Sequence, residues 1–284
     1  MRILVIGITG MLGNAVYRYF SDATPHEVFG TVRNSQARTR FSPALQDGII
    51  EGVDAADADS LALAFAQSRP DLVVNAVGLV KQLRASEDPL NALPLNALFP
   101  HRLARLCAVA GARLVHVSTD CVFSGSRGAY VESDQPDAAD LYGRSKLLGE
   151  VDYPHAITLR TSIIGHELAG QTGLVGWFLA QQGSVRGYRR AVFSGLPTVE
   201  LARVIAHHVI PNPDLHGLYH VATSPIDKCH LLTLVAEAYG KDIEIVPDDS
   251  LVIDRSLDAR RFNQATGYQP AAWPELVREM KAFG

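Results

Sequence analysis

The stretch RILVIGITGMLG (Arg2–Gly13) decides the fold. Four β-branched or aliphatic positions after Met1 and Arg2 read as a buried strand, and Gly7, Gly10 and Gly13 then interrupt the run before NAVYRYFSDA (14–23) takes up a helical pattern. A strand that passes through spaced glycines straight into a helix brings backbone N–H groups and the positive helix end close to any anion held there. Gly7, Gly10, Met11, Leu12 and Gly13 are therefore the first candidates for contacting a dinucleotide pyrophosphate. The plainer alternative is a glycine turn that serves packing alone.

Outward from that stretch, short apolar runs alternate with helical ones: HEVFGTVR, GIIEGV, DSLALAFAQS, DLVVNAVG and RLVHVSTD. The alternation predicts a Rossmann-type α/β fold with a doubly wound parallel sheet, its strands apolar throughout because helices cover both faces. From about Gly165 the rhythm changes to glycine-rich loops and amphipathic helices, predicting a smaller, interleaved C-terminal substrate lobe. The expected division is a dinucleotide-binding domain over residues 1–165, with 190–225 returning to it, and a substrate lobe made of 166–189 and 226–284.

The composition narrows the classes of function. Across 284 residues, 26 Lys and Arg against 30 Asp and Glu give a formal charge of -4, which offers no basic field for nucleic acid or an anionic membrane. Cys107, Cys121 and Cys229 are odd in number and far apart, which fits a reducing cytoplasm better than a disulfide framework or a metal site. With no apolar run long enough to span a bilayer, the expectation is a soluble cytoplasmic protein, monomer or homodimer, acting on a small molecule.

Polar residues at strand ends and on one helix supply the chemistry. Arg33 follows the second strand where an acidic residue would accept a ribose 2′-hydroxyl, and a cation there suits a 2′-phosphate, so NADPH is expected and NADH less favoured. Arg38 and Arg40 lie nearby, and a solvated loop is the competing explanation for all three. Asp54 ends the third strand, placed either to meet the adenine edge or to serve as a turn residue. Tyr142 and Lys146 in LYGRSKLLGE stand four residues apart, on one face of a helix. A phenol is a poor proton donor at neutral pH, and a neighbouring ammonium favours its ionised form. Thr119 ends RLVHVSTD, where its hydroxyl can reach a substrate carbonyl. Arg186, Arg189 and Arg190 offer guanidinium forks to a diphosphate, or are surface arginines.

The motifs GITGMLG, PDLVVNAVG, STDCVF, YGRSKLLGE, LRTSIIG and SGLPT together resemble the extended short-chain dehydrogenase/reductases, and within them the dTDP-4-dehydrorhamnose reductase group. The resemblance implies Thr119, Tyr142 and Lys146 as catalytic residues. It also implies Asn75, Ala76, Val77 and Gly78 on the nicotinamide side, Asn96 supporting the lysine, and Asp120, Cys121, Arg160, Arg189, Pro197 and Thr198 near the substrate. The implied activity is reduction of a 4-keto nucleotide sugar to the alcohol. An epimerase or epimerase-reductase, and an NADP-binding regulatory subunit without catalysis, are the alternatives. Ile163, Cys121, Leu83, Ser86 and Ala15 depart from the rhamnose-forming pattern, the last three where acidic residues are usual, so no metal is expected. Pro100 is expected to start or kink a helix.

Overall fold

A computed structural model describes residues 1–80 and 84–284; Leu83 therefore lies outside the described residues. Seven parallel strands form the central sheet: β1 Arg2–Ile6, β2 Glu27–Thr31, β3 Ile49–Ile50, β4 Leu72–Asn75, β5 Arg113–Thr119, β6 Ala156–Thr161 and β7 Gly217–His220. Their spatial order is β7-β6-β5-β4-β1-β2-β3, with every neighbouring pair parallel, the doubly wound sheet that the alternation of apolar runs predicted. The chain reverses direction across the sheet between β1 and β4, and a doubly wound sheet opens its ligand crevice at the carboxyl ends of those strands.

The period of two along β1 shows why the sheet is covered on both sides. Ile3 and Val5 join the core containing Val16, Phe20 and Leu201, whereas Leu4 and Ile6 join the one containing Phe65, Phe99 and Leu103. Each such side chain contributes roughly 1.5–3 kcal/mol on burial. The helix Met11–Ala23 packs against Thr198–Val204 on the first face, so the segment around residue 200 returns to the central sheet and also supplies its edge strand β7.

A separate apolar cluster lies beyond the carboxyl end of β6. Val175, Phe178, Leu231, Val235, Trp273 and Leu276 anchor it, drawn from the helices Leu174–Ala180, Lys228–Tyr239 and Trp273–Phe283. Short strands complete that part: Ser184–Tyr188 beside Glu244–Asp248, and Ala191–Phe193 between Ile226–Asp227 and Ile253–Asp254. Among the described residues no helix is long and apolar enough to cross a membrane.

Candidate functional site

The glycine loop after β1 is built for close approach. Gly7 adopts φ +88°, a left-handed conformation that favours glycine, and a Cβ there would stand 2.7 Å from Val77 Cγ2 in the loop after β4. A Cβ on Gly13 would lie 2.2 Å from the Gly7 carbonyl oxygen, so helix and loop can nest only with glycine at that position. Gly10 begins the helix without a side-chain cap, leaving the first-turn amides of Met11, Leu12 and Gly13 without intrahelical acceptors. That arrangement fits a pyrophosphate. Thr31, a residue the sequence did not single out, holds the loop from below, its hydroxyl accepting the Gly7 N–H at 3.1 Å.

Arg33 is exposed just past β2 and makes no hydrogen bond or ion pair among the described residues, so its guanidinium is available to a phosphate. Arg38 instead pairs with Glu51 at 3.0 Å. Asp54 is a turn residue: its carboxylate accepts the Ala56 N–H at 2.8 Å, while Asp57 caps the following helix.

Asn75 is buried, and its side chain serves the loop rather than facing outward. Its Oδ1 accepts the Val77 N–H at 3.0 Å and its amide nitrogen meets His116 Nδ1 at 3.1 Å, which fixes the turn through Ala76, Val77 and Gly78. Asn96 lies in a wide π turn, Leu93–Leu98, directly before the helix Phe99–Ala110. Its Oδ1 accepts the Leu79 N–H at 2.8 Å, and its amide donates to Leu79 O and to Ser145 Oγ, each at 3.2 Å. Asn96 thus joins the loop after β4 to the helix Leu141–Leu148, which carries Tyr142 and Lys146. Pro100 sits in the first turn of its helix, directly after the π turn, where it lacks the N–H that the Asn96 carbonyl would otherwise accept.

Thr119 ends β5 with its side chain turned into the crevice. Its hydroxyl oxygen accepts the Cys121 N–H and its O–H donates to Asp120 Oδ1, both at 3.2 Å. The same hydroxyl acts on the Tyr142 phenol in favour of the ionised form. Burial, with Cys121, Asp120 and Asp140 nearby, nevertheless pushes the phenol above its ordinary value. Lys146 is not among the groups that dominate Tyr142. Its ammonium donates to Val117 O at 2.9 Å and faces Gly78, and burial lowers its pKa to about 8, with Glu150 opposing that shift. Thr119 thus adjoins Tyr142, while Lys146 addresses the loop after β4. Burial raises the Cys121 thiol to about 12, and the carboxyl of Asp120 is raised by burial against the pull of Arg255.

Several expected substrate contacts fall elsewhere. Arg160 is only 2% exposed: it grips Glu150 with Nε at 2.9 Å and Nη2 at 2.6 Å and donates from Nη1 to His220 at 3.0 Å. A guanidinium so engaged is part of the core and not of a substrate pocket. His220 must then be neutral with its Nε2 accepting, in keeping with a pKa lowered to about 4 by burial and by Arg160, and its Nδ1–H donates to Tyr130 O. Pro197 and Thr198 are buried against Ile163–Ile164 and Gly165, shaping the wall behind the crevice. Arg189 is exposed and forked onto Asp249, with Arg186 on Asp248, so acidic neighbours already engage both guanidinium groups. His220, which completes the buried network, carries no local motif that would have marked it, and Glu150 closes YGRSKLLGE without having been singled out there. Among the described residues no cluster of His, Cys, Asp or Glu could hold a metal ion.

The profile of the RmlD substrate binding domain matches residues 1–247. The methionine adenosyltransferase 2 subunit beta of Rattus norvegicus is 32% identical over 149 residues, 52% of this chain and 41% of that protein. Its Danio rerio counterpart is 30% identical over 256 residues, covering 84% of this chain and 74% of its own. This chain thus spans less than half of the rat protein it matches. Among solved structures, a hypothetical dTDP-4-dehydrorhamnose reductase from Sulfolobus tokodaii superposes with a TM-score of 0.77 at 26% identity, covering 96% of this chain and 98% of the other. The dTDP-4-dehydrorhamnose reductase of Bacillus anthracis, solved in complex with NADP, gives 0.79 at 18% identity over 99% and 98% of the two chains, a likeness of fold. By the profile match over most of its length and by the Danio rerio relative, the chain belongs to the RmlD substrate binding domain family.

Proposed function

We propose that this protein uses NADPH to reduce a 4-keto (6-deoxy) nucleotide sugar to the corresponding alcohol, in the cytoplasm, as a step in making surface-polysaccharide sugars. The observation that carries this reading is the meeting of Thr119, Tyr142 and Lys146 at the carboxyl edge of β5, beside the glycine loop of β1. The residues present suit the cofactor: the first-turn amides of Met11, Leu12 and Gly13 would hold its pyrophosphate, Arg33 its 2′-phosphate, and Lys146, beside Gly78, its nicotinamide ribose. When bound, reduced nicotinamide supplies the hydride.

The protein's own part is proton delivery and orientation. Thr119 Oγ1 turns from Asp120 to donate to the keto oxygen, and Tyr142 Oη gives its proton to the alkoxide as charge develops there. A phenol held above its ordinary pKa is fully protonated at neutral pH, as a donor must be, and the basicity of the developing alkoxide draws the proton across. The Cys121 thiol, raised to about 12 with no histidine among its dominant neighbours, suits a pocket wall better than an acid–base pair. Reduction without epimerisation is the reading this supports. A panel of dTDP-, UDP- and GDP-linked 4-keto sugars, followed by nicotinamide absorbance, tests it; failure of every member to oxidise NADPH would reject the reductase.

The match to methionine adenosyltransferase 2 subunit beta favours a second reading, an NADP-binding subunit that regulates another enzyme. Tight NADPH binding by fluorescence with no turnover across that panel would select it.

A further inference from the structure

His116 lies wholly buried in the middle of β5, on the face that also carries Leu114 into the core of Phe99 and Leu103. The proposed reduction makes no use of it, and an aliphatic side chain would continue the same apolar face. The ring makes one hydrogen bond, from Nδ1 to the amide nitrogen of Asn75 at 3.1 Å, across the register pair that joins β5 to β4. Nε2 has no partner among the described residues. A buried polar atom left unpaired costs free energy, so the stability of the sheet does not call for this histidine.

The tautomer follows from what Asn75 meets on its other side. The Val77 N–H can only donate, so Asn75 must present Oδ1 to it, at 3.0 Å, and turn its amide nitrogen to His116. Nδ1 therefore accepts, and the neutral ring carries its proton on Nε2. An imidazolium would set Nδ1–H against the amide and force Asn75 over, taking the acceptor away from Val77. Burial holds the pKa of the ring well below the usual histidine range, with Lys146 on the catalytic helix and His101 on the helix Phe99–Ala110 adding to that.

The turn that Asn75 holds links the two ends of the crevice. Val77 packs over Gly7, where an added Cβ would stand 2.7 Å from Val77 Cγ2 and 3.4 Å from its backbone nitrogen. One residue on, a Cβ on Gly78 would stand 3.8 Å from Lys146 Nζ. A displaced Val77 would disturb the glycine loop and the surroundings of the lysine together.

Resting on the reductase reading, we propose that His116 is a positioning residue: as the Nε2–H tautomer it fixes the orientation of Asn75, and through Asn75 it sets the turn of residues 76–78 against the nicotinamide half of the cofactor. A histidine that merely fills the core would show no dependence on an acceptor at the Nδ1 position.

Two measurements on the intact protein test this, and neither needs a sugar. In nitrogen NMR of protein labelled at histidine, without cofactor and at neutral pH, the ring signals that His116→Asn removes should show Nδ1 unprotonated and Nε2 protonated. A proton on Nδ1 would overturn the proposal. The second measurement compares variants by hydrogen exchange at the amides of residues 76–78 and by NADPH affinity, read from nucleotide fluorescence. His116→Asn puts an acceptor where Nδ1 was and should keep both within about twofold, whereas His116→Leu should speed exchange and weaken NADPH binding about fivefold or more, the range of one lost hydrogen bond. His116→Gln, whose amide reaches toward the Nε2 position instead, should behave as His116→Leu does and serves if that variant folds poorly. Equal behaviour of His116→Asn and His116→Leu, both normal or both impaired, would overturn the proposal. If the unaltered protein binds NADPH but reduces no sugar, the reductase reading fails while these comparisons still decide the role of His116.

Discussion

At the scale of single residues the proposed reduction assigns a proton donor, an orienting hydroxyl and a buried cation to Tyr142, Thr119 and Lys146. Tyr142→Phe removes the only proton that the helix Leu141–Leu148 offers at that point, so turnover should fall by about 100-fold or more while NADPH binding, read by fluorescence, stays unchanged. Near-normal turnover would show that another group protonates the alkoxide. Arg33→Asp should raise the KM for NADPH far more than that for NADH, since the free guanidinium stands where a 2′-phosphate is expected. Lys146 makes a prediction about stability. Its pKa is lowered to about 8 from 10.5, so the unfolded chain binds more protons between those two values, and stability attributable to this residue rises with pH across that window. Below about pH 8 the folded protein carries the full cost of a buried ammonium. Lys146→Met should therefore stabilise the fold at pH 7 by about 1–3 kcal/mol, an advantage that shrinks toward pH 10.5, while abolishing activity. Thermal melts at both pH values decide the sign.

At the scale of elements, three segments must fit closely for those side chains to meet. The catalytic helix ends at Gly149, where a Cβ would stand 1.9 Å from the Asn96 carbonyl oxygen and 3.2 Å from Pro100 Cγ. That contact explains why the π turn, the proline and the glycine occur together: Pro100 cannot donate back to Asn96, the turn widens, and the exposed carbonyl is covered by the glycine. Gly149→Ala has no flexible side chain to displace, so it should cost about 1–3 kcal/mol and lower kcat more than it weakens NADPH binding, because Tyr142 and Lys146 move with the helix. A denaturation midpoint and a kcat unchanged from the unaltered protein would refute this account of the contact. The glycine loop of β1 and the Tyr-x-x-x-Lys spacing were legible in the sequence because each depends on neighbours within a few residues. The fit between Asn96, Leu79 and Ser145 was not, since three segments separated in the chain make it.

At the scale of the whole molecule, a buried network fastens the sheet edge behind the site. Glu150 takes the fork of Arg160 and the hydroxyl of Ser118, and Arg160 reaches His220 on β7, so β5, β6, β7 and the end of the catalytic helix share one set of charges. Glu150→Gln leaves the Arg160 guanidinium buried without its counter-charge and should destabilise the protein by about 3 kcal/mol or more, measured as a lower denaturant midpoint. A shift within error would mean that water compensates the arginine. Arg160 also shows where reading along the chain stops. Its place in LRTSIIG resembles a pocket position, and only the arrival of Glu150 and His220 from other segments turns it into the core. The same holds for Arg189, claimed by Asp249. By itself the sequence determined the doubly wound sheet, the glycine cradle and the Thr119, Tyr142 and Lys146 set, because strand periodicity, glycine sterics and helical spacing act over a few residues. Which charges meet ligand and which meet each other was decided by the tertiary structure alone, because a charge is drawn to whatever counter-charge the fold brings near it, however distant along the chain.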